Sequence, residues 1–178
     1  MFLYVGVNKM TMVISIFGVA IALIEVGFII YKYSKETTRK KRRETIEIYN
    51  KIFNDTYSLL DEFKKATKKT LFNSEDIRNS PDIYKSVMNL LTLLESFAKG
   101  LEYNVYDFKT FVYLTPKELF EILNSLKQFV YDERKVKLYE LLFNDFISLT
   151  DLMSLCIQAK LQGKKIKFTY TNIMRYKK

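Results

Sequence analysis

Three carboxylates have the types and spacing that best suit chemistry. Glu95, Glu102 and Asp107 flank Gly100 in the stretch ESFAKGLEYNVYD. Acids gathered around a glycine turn suit a divalent-metal or acid–base site. Their structural alternative is an ion pair or a helix cap. Glu95 lies close to an apolar stripe, and a carboxylate buried there needs a partner. Other chemistry is excluded by composition. The chain has no His, which removes a Ser-His-Asp triad, a Cys-His pair, His-ligated zinc and an imidazole base. It has no Gly-rich phosphate loop and no cysteine cluster, so no cofactor is expected. The lone Cys156 cannot form an internal disulfide, which fits a reducing compartment. It continues an apolar stripe and reads as a core residue.

The elements that must position these acids are helices. Only five glycines and two prolines punctuate 178 residues, and scarce breakers favour long helices over a turn-rich β fold. Ile46, Tyr49, Phe53, Leu60 and Phe63 follow a 3-4 rhythm, with Thr56 filling the gap. Residues 67–81, rich in Asn, Ser, Thr and charge, read as a loop. Pro81 then opens a helix lined by Ile83, Val87, Leu90, Leu94 and Phe97, ending near Gly100. Residues 107–114 suggest a short helix. Thr115, Pro116 and Glu118 resemble a capping box ahead of Leu119, Leu123, Leu126 and Val130. Residues 132–135 read as a polar break. A last helix carries Tyr139, Leu142, Phe146, Leu149, Met153 and Cys156 and stops at Gly163.

Ahead of these helices, residues 11–31 read TMVISIFGVAIALIEVGFIIY, with Glu25 as the one charge. That length covers a hydrocarbon core of about 30 Å at about 1.5 Å per residue. The run is too long for a cleaved signal peptide, and a stop-transfer flank follows it. The fold expected is therefore all-α: one N-terminal transmembrane helix, then a cytoplasmic bundle of about four to five helices. The divisions expected are a short extracytoplasmic N-terminus (1–10), the span (11–31), a basic juxtamembrane segment (32–43), the helical domain (44–163) and a basic aromatic tail (164–178). Thr11, Ser15, Gly18, Ala22 and Glu25 fall on one helix face. Their small residues predict close helix–helix approach and a homo-oligomer, with Glu25 shared between copies or snorkelling toward Lys32.

The net charge of +9 is unevenly spread. Residues 32–43 hold seven bases and one acid, and residues 164–178 hold six bases and no acid, whereas residues 44–163 hold 15 bases and 18 acids. Arg39, Lys40, Lys41, Arg42 and Arg43 form an unbroken basic run. Only Lys9 precedes the apolar stretch, so the rule that keeps bases inside orients residues 32–178 toward the cytoplasm of a cell membrane, with the N-terminus outside. Lys164, Lys165 and Lys167 begin a tail that mixes bases with Phe168, Tyr170, Met174 and Tyr176. Such a tail suits single-stranded nucleic acid or an anionic membrane surface. Tethering favours the membrane or a protein partner.

Three stretches resemble an uncharacterised bacterial family of N-terminally anchored helical proteins. They are Arg43-Glu44-Thr45-Ile46, Leu90 to Asp107 (LLTLLESFAKGLEYNVYD), and Arg134 to Phe146 (RKVKLYELLFNDF). The middle one is similar to the family's Leu-Asn-x-Phe-Glu…Gly…Tyr-Asp signature and departs from it at Thr92 and Ser96. The resemblance covers residues 40–155. It implies no enzyme activity, and its prophage associations imply phage exclusion by abortive infection. The function expected is a non-enzymatic, membrane-anchored interaction or effector protein. The alternatives are a membrane-tethered metal-dependent nuclease using Glu95, Glu102 or Asp107, and a scaffold or regulator.

Overall fold

The computed structural model describes the backbone of residues 2–137 and 142–161, and the side chains of residues 21–136 and 142–159. Within them lie six helices: α1 (Phe2–Thr67), α2 (Ser74–Asn79), α3 (Pro81–Glu102), α4 (Phe108–Leu114), α5 (Lys117–Lys137) and α6 (Asn144–Leu161). The all-helical expectation holds among the described residues. Contacts divide the chain into two units, residues 1–40 and residues 41–178.

The first unit consists of the N-terminal part of α1. No proline interrupts α1, and no side chain of its residues 21–40 is fully buried. Among the described residues no helix is long and apolar enough to cross a membrane. The expected span of residues 11–31 is thus not shown, and its residues 11–20 lie outside those whose side chains are described.

The second unit has a core. Phe63, Phe97, Phe111, Phe129 and Phe146 are its largest fully buried side chains. Each such residue contributes about 1.5–3 kcal/mol by leaving water. The 3-4 stripes read in α3 and α5 are buried as expected, from Ile83 to Phe97 and from Leu119 to Val130. In α6 the expected Phe146, Leu149, Met153 and Cys156 are also buried. Helix α3 lies against α2 and α6, and α5 lies against the same two. Helix α1 joins through Phe63 on Phe72 and Tyr49 on Phe111, with ring centroids 5.1 and 6.0 Å apart.

Several details differ from the sequence reading. The face of α1 turns away from Ile46, which is 42% exposed, toward Thr45, Ile52 and Leu59. The 67–81 loop contains α2, whose first turn is capped by Asn73 Oδ1 accepting from the amides of Glu75 and Asp76. Residues 132–135 do not break α5. Glu133 is buried there because Arg78 Nε donates to its Oε1 at 2.7 Å and the Tyr84 hydroxyl donates to its Oε2 at 3.0 Å. The capping box is not formed by Thr115. Its amide and hydroxyl both donate to Phe111 O, closing α4 instead. Leu142 precedes α6 rather than lying in it. Tyr139, Gly163 and the tail with Lys164, Lys165 and Lys167 lie outside the described residues.

Thr56 Oγ1 is fully buried and has no hydrogen-bond partner. A buried hydroxyl without a partner costs about 1–3 kcal/mol, and an apolar group of the same shape removes that cost. Thr56→Val should therefore raise the midpoint of thermal unfolding, measured by circular dichroism. An unchanged or lower midpoint would show that the hydroxyl is satisfied in solution.

Candidate functional site

The three stretches that carry the family resemblance meet in the second unit, around the C-terminal half of α3. Thr45, fully buried on α1, ties two of them together. Its hydroxyl donates to Lys41 O at 2.7 Å, as threonines on helices often do. The same oxygen accepts from the Asp107 amide at 2.7 Å, across 62 residues of sequence. Asp107 is the N-cap of α4, with Oδ1 accepting from the Thr110 amide at 3.1 Å. Its other oxygen faces Arg42 Nε at 3.3 Å. That pair is half open to solvent and contributes little by itself.

Helix α3 ends in a tight closure. Asn104 takes a left-handed φ of 59°. The Asn104 amide donates to Leu101 O at 3.1 Å and the Val105 amide to Gly100 O at 2.8 Å. This is the paired pattern that satisfies the last carbonyls of a helix, with Asn in the position glycine usually takes. The turn carries the Tyr106 ring back across Gly100. A Cβ on Gly100 would lie 2.3 Å from Tyr106 Cε2. Tyr106 also packs on Phe97 at 5.1 Å, and Phe97 on Phe111 at 4.6 Å. The Tyr49 hydroxyl reaches Leu114 O at 2.8 Å. Gly100 is therefore needed for close approach, not for backbone freedom.

The third stretch joins through Glu95. Its Oε2 accepts from the Phe146 amide at 2.7 Å and its Oε1 from the Asp145 amide at 3.3 Å. A carboxylate on α3 thus caps the first turn of α6, where free amides and the helix dipole favour negative charge. Burial pushes the Glu95 carboxyl above its usual range, and the two amides pull the other way. Lys99 approaches Asp145 at 3.9 Å. Arg134 donates to Leu142 O through Nε at 2.9 Å and Nη2 at 2.6 Å, holding the segment that leads into α6.

The acids singled out in the sequence are thus placed apart in role. Glu95 caps α6, Asp107 caps α4, and Glu102 is the last residue of α3. The described residues contain no group of three or more acids or cysteines that could hold a metal ion. Cys156 is buried, and burial raises its thiol pKa. An open groove of about 340 Å³ separates α1 from α3. Lys51, Asp55, Ser58 and Glu62 on one wall face Ser86 and Asn89 on the other. It lacks the enclosed apolar lining of most small-molecule sites. Of the expected association face, Ser15 and Gly18 lie outside the described side chains, while Ala22 and Glu25 are exposed. Lys41 is half-buried, and Arg39, Lys40, Arg42 and Arg43 are exposed. Sequence reading missed Thr45 and Glu133, whose partners lie about fifty or more residues away and leave no local signal.

A model of a domain of unknown function, DUF4760, matches residues 12–153. No curated protein and no solved structure matches the chain.

Two outcomes follow for this corner. Gly100→Ala gains about 1 kcal/mol of helix propensity but forces the Tyr106 ring off Phe97. Overpacking of about 1–3 kcal/mol should win and lower the thermal midpoint, whereas in a Tyr106→Ala background the same Gly100→Ala change should no longer lower it. The second outcome concerns pH. With the Glu95 pKa raised on folding, the folded state keeps a proton that the unfolded chain has already released. That contribution to stability is whole below the unfolded value of about 4.3 and is lost as pH rises through the folded value. The stability difference between wild type and Glu95→Gln should therefore move against wild type over that rise in pH, as read by urea titration. A difference that stays constant with pH would contradict the assignment.

Proposed function

This chain belongs to the DUF4760 family, and on that premise we propose that it is a membrane-anchored, non-enzymatic interaction protein whose helical unit works at a bilayer surface. One observation carries the reading. Ile21, Leu23, Ile24, Val26, Phe28, Ile29 and Ile30 stand 53–72% exposed on α1. They occupy every side of the helix, whereas a helix facing water confines its apolar residues to one stripe. Exposed apolar surface of this extent marks a place that something else covers. The sequence extends the same character back to Thr11, giving the length a bilayer requires. Tyr31 and Tyr33, 62% and 73% exposed, follow at the position of an interfacial aromatic belt. The basic run from Arg39 to Arg43 then suits an anionic inner leaflet at about 1 kcal/mol per base, which supports a cytoplasmic side for the helical unit.

The non-enzymatic part of the reading is supported by how Glu95 and Asp107 are used, since each is committed to capping a helix. No specific observation favours a metal-dependent nuclease. A role in phage exclusion has only the family resemblance behind it. The unit can serve as effector, scaffold or regulator through its outer surface.

The test places two charges in the apolar stretch. Arginine at the centre of a membrane helix costs about 2.5–3.5 kcal/mol. The variant Ile24→Arg with Phe28→Arg should move from the membrane pellet to the soluble fraction after an alkaline carbonate wash, while wild type stays in the pellet. Wild type found in the soluble fraction would overturn the proposal.

A further inference from the structure

We propose that the open groove between α1 and α3 is a docking surface for the chain's own basic tail, residues 164–178, bound within the same molecule. The groove lies wholly in the second unit, so the inference goes beyond the anchored reading and stands without it. Charge is the first observation. Asp55 and Glu62 line the α1 wall, exposed and about 10 Å apart along the helix. Neither forms an ion pair among the described residues. Lys65 is near Glu62 but is bonded to Asp61 at 2.7 Å. Lys51 is the one base in the lining, which leaves the groove with an excess of negative charge. The second observation is the make-up of the trough. Leu59 and Leu90 are buried and Leu93 is half-buried, giving it an apolar floor. Ser58, Ser86 and Asn89 add hydroxyls and an amide above that floor, which donate and accept as a peptide backbone requires.

Composition and reach single out the tail as occupant. It carries six bases and no acid, and Ile166, Phe168 and Tyr170 stand among the first of those bases. Residues 44–163 hold 18 acids against 15 bases, so the two parts attract. Helix α6 ends at Leu161 and lies against α3, whose Ser86 and Asn89 form the second wall of the groove. The residues beyond Leu161 span about 50 Å when extended. A unit of about 120 residues has a radius of gyration of about 14 Å, so that length reaches any point on its surface. Exposed ion pairs are weak, at about 0.2–1 kcal/mol each. A short tether compensates, because it holds the tail at an effective concentration on the order of millimolar. Contacts too weak to recruit a separate peptide are thus sufficient for a segment of the same chain.

The test is photocrosslinking of the full chain in an uncharged detergent, which offers the tail no anionic surface. A p-benzoylphenylalanine is placed at position 58 on one wall or at position 89 on the other, both exposed. Circular dichroism first confirms the helical fold of each version, and the two positions serve as replacements for one another. After irradiation, mass spectrometry of the band at the mass of one chain should find residues 164–178 joined to at least one of them. Asp55→Lys with Glu62→Lys should lose that crosslink. Adding Lys164→Glu, Lys165→Glu and Lys167→Glu to the double variant should restore it, which a general loss of folding would not allow. No crosslink to the tail from either position in the parent chain overturns the proposal. A crosslink that survives the charge reversal also overturns it, because tethering alone would then explain the contact. A crosslinked band at the mass of two chains, with none at the mass of one, assigns the groove to the tail of a second copy and overturns docking within the molecule.

Discussion

The hydroxyl of Thr45 is the point on which the helical unit turns. One oxygen bonds a carbonyl of its own helix and receives the amide that opens α4. It brings the start of α1 within the unit against the end of α3, and so fixes where Asp107 can cap and where Arg42 can pair. Burial raises the stakes. The threonine is fully buried, and a lost bond there would leave an amide or a hydroxyl without water to replace it. Around it, Tyr106, Phe97, Phe111 and Tyr49 form a continuous chain of rings. Polar and apolar contacts therefore specify the same corner.

The opposite end of α5 shows the same economy. Glu133 would be costly to bury alone, but a guanidinium and a phenol occupy its two oxygens. Asp132 beside it accepts from Ser74, and that bond lowers its pKa most. The short α2 is thus held to α5 by side chains on successive residues. The ends of the unit are fastened by polar groups, and its middle is filled by Leu and Phe.

Much of the fold was legible because periodicity is a local signal. The stripes of α3 and α5 could be read residue by residue, and all the residues named there are buried. The face of α1 was harder. Its buried residues include Thr45 and Thr56, so hydropathy alone pointed to Ile46 one position away. Helix ends were legible when Pro81 or Gly100 marked them. The end of α1 was legible from the polar run that begins at residue 67, although lysine advertises nothing of the left-handed φ of 59° that Lys68 takes there. Of the site, sequence identified Glu95 and Asp107 as residues of consequence and foresaw a cap or ion pair as their structural role. It could not supply Phe146 and Thr45 as their partners, because long-range pairing leaves no trace in spacing.

The cap that Glu95 supplies to α6 has a bearing on the order of assembly. A nascent chain makes α3 some fifty residues before Asp145 and Phe146 emerge. Until then the Glu95 carboxylate has no amides to replace its water, and the neighbouring face of α3 cannot close around it. Hairpins of adjacent helices can form early from local contacts, yet this pairing must wait for distant ones. The order of synthesis therefore supplies the carboxylate well before the two amides that replace its water.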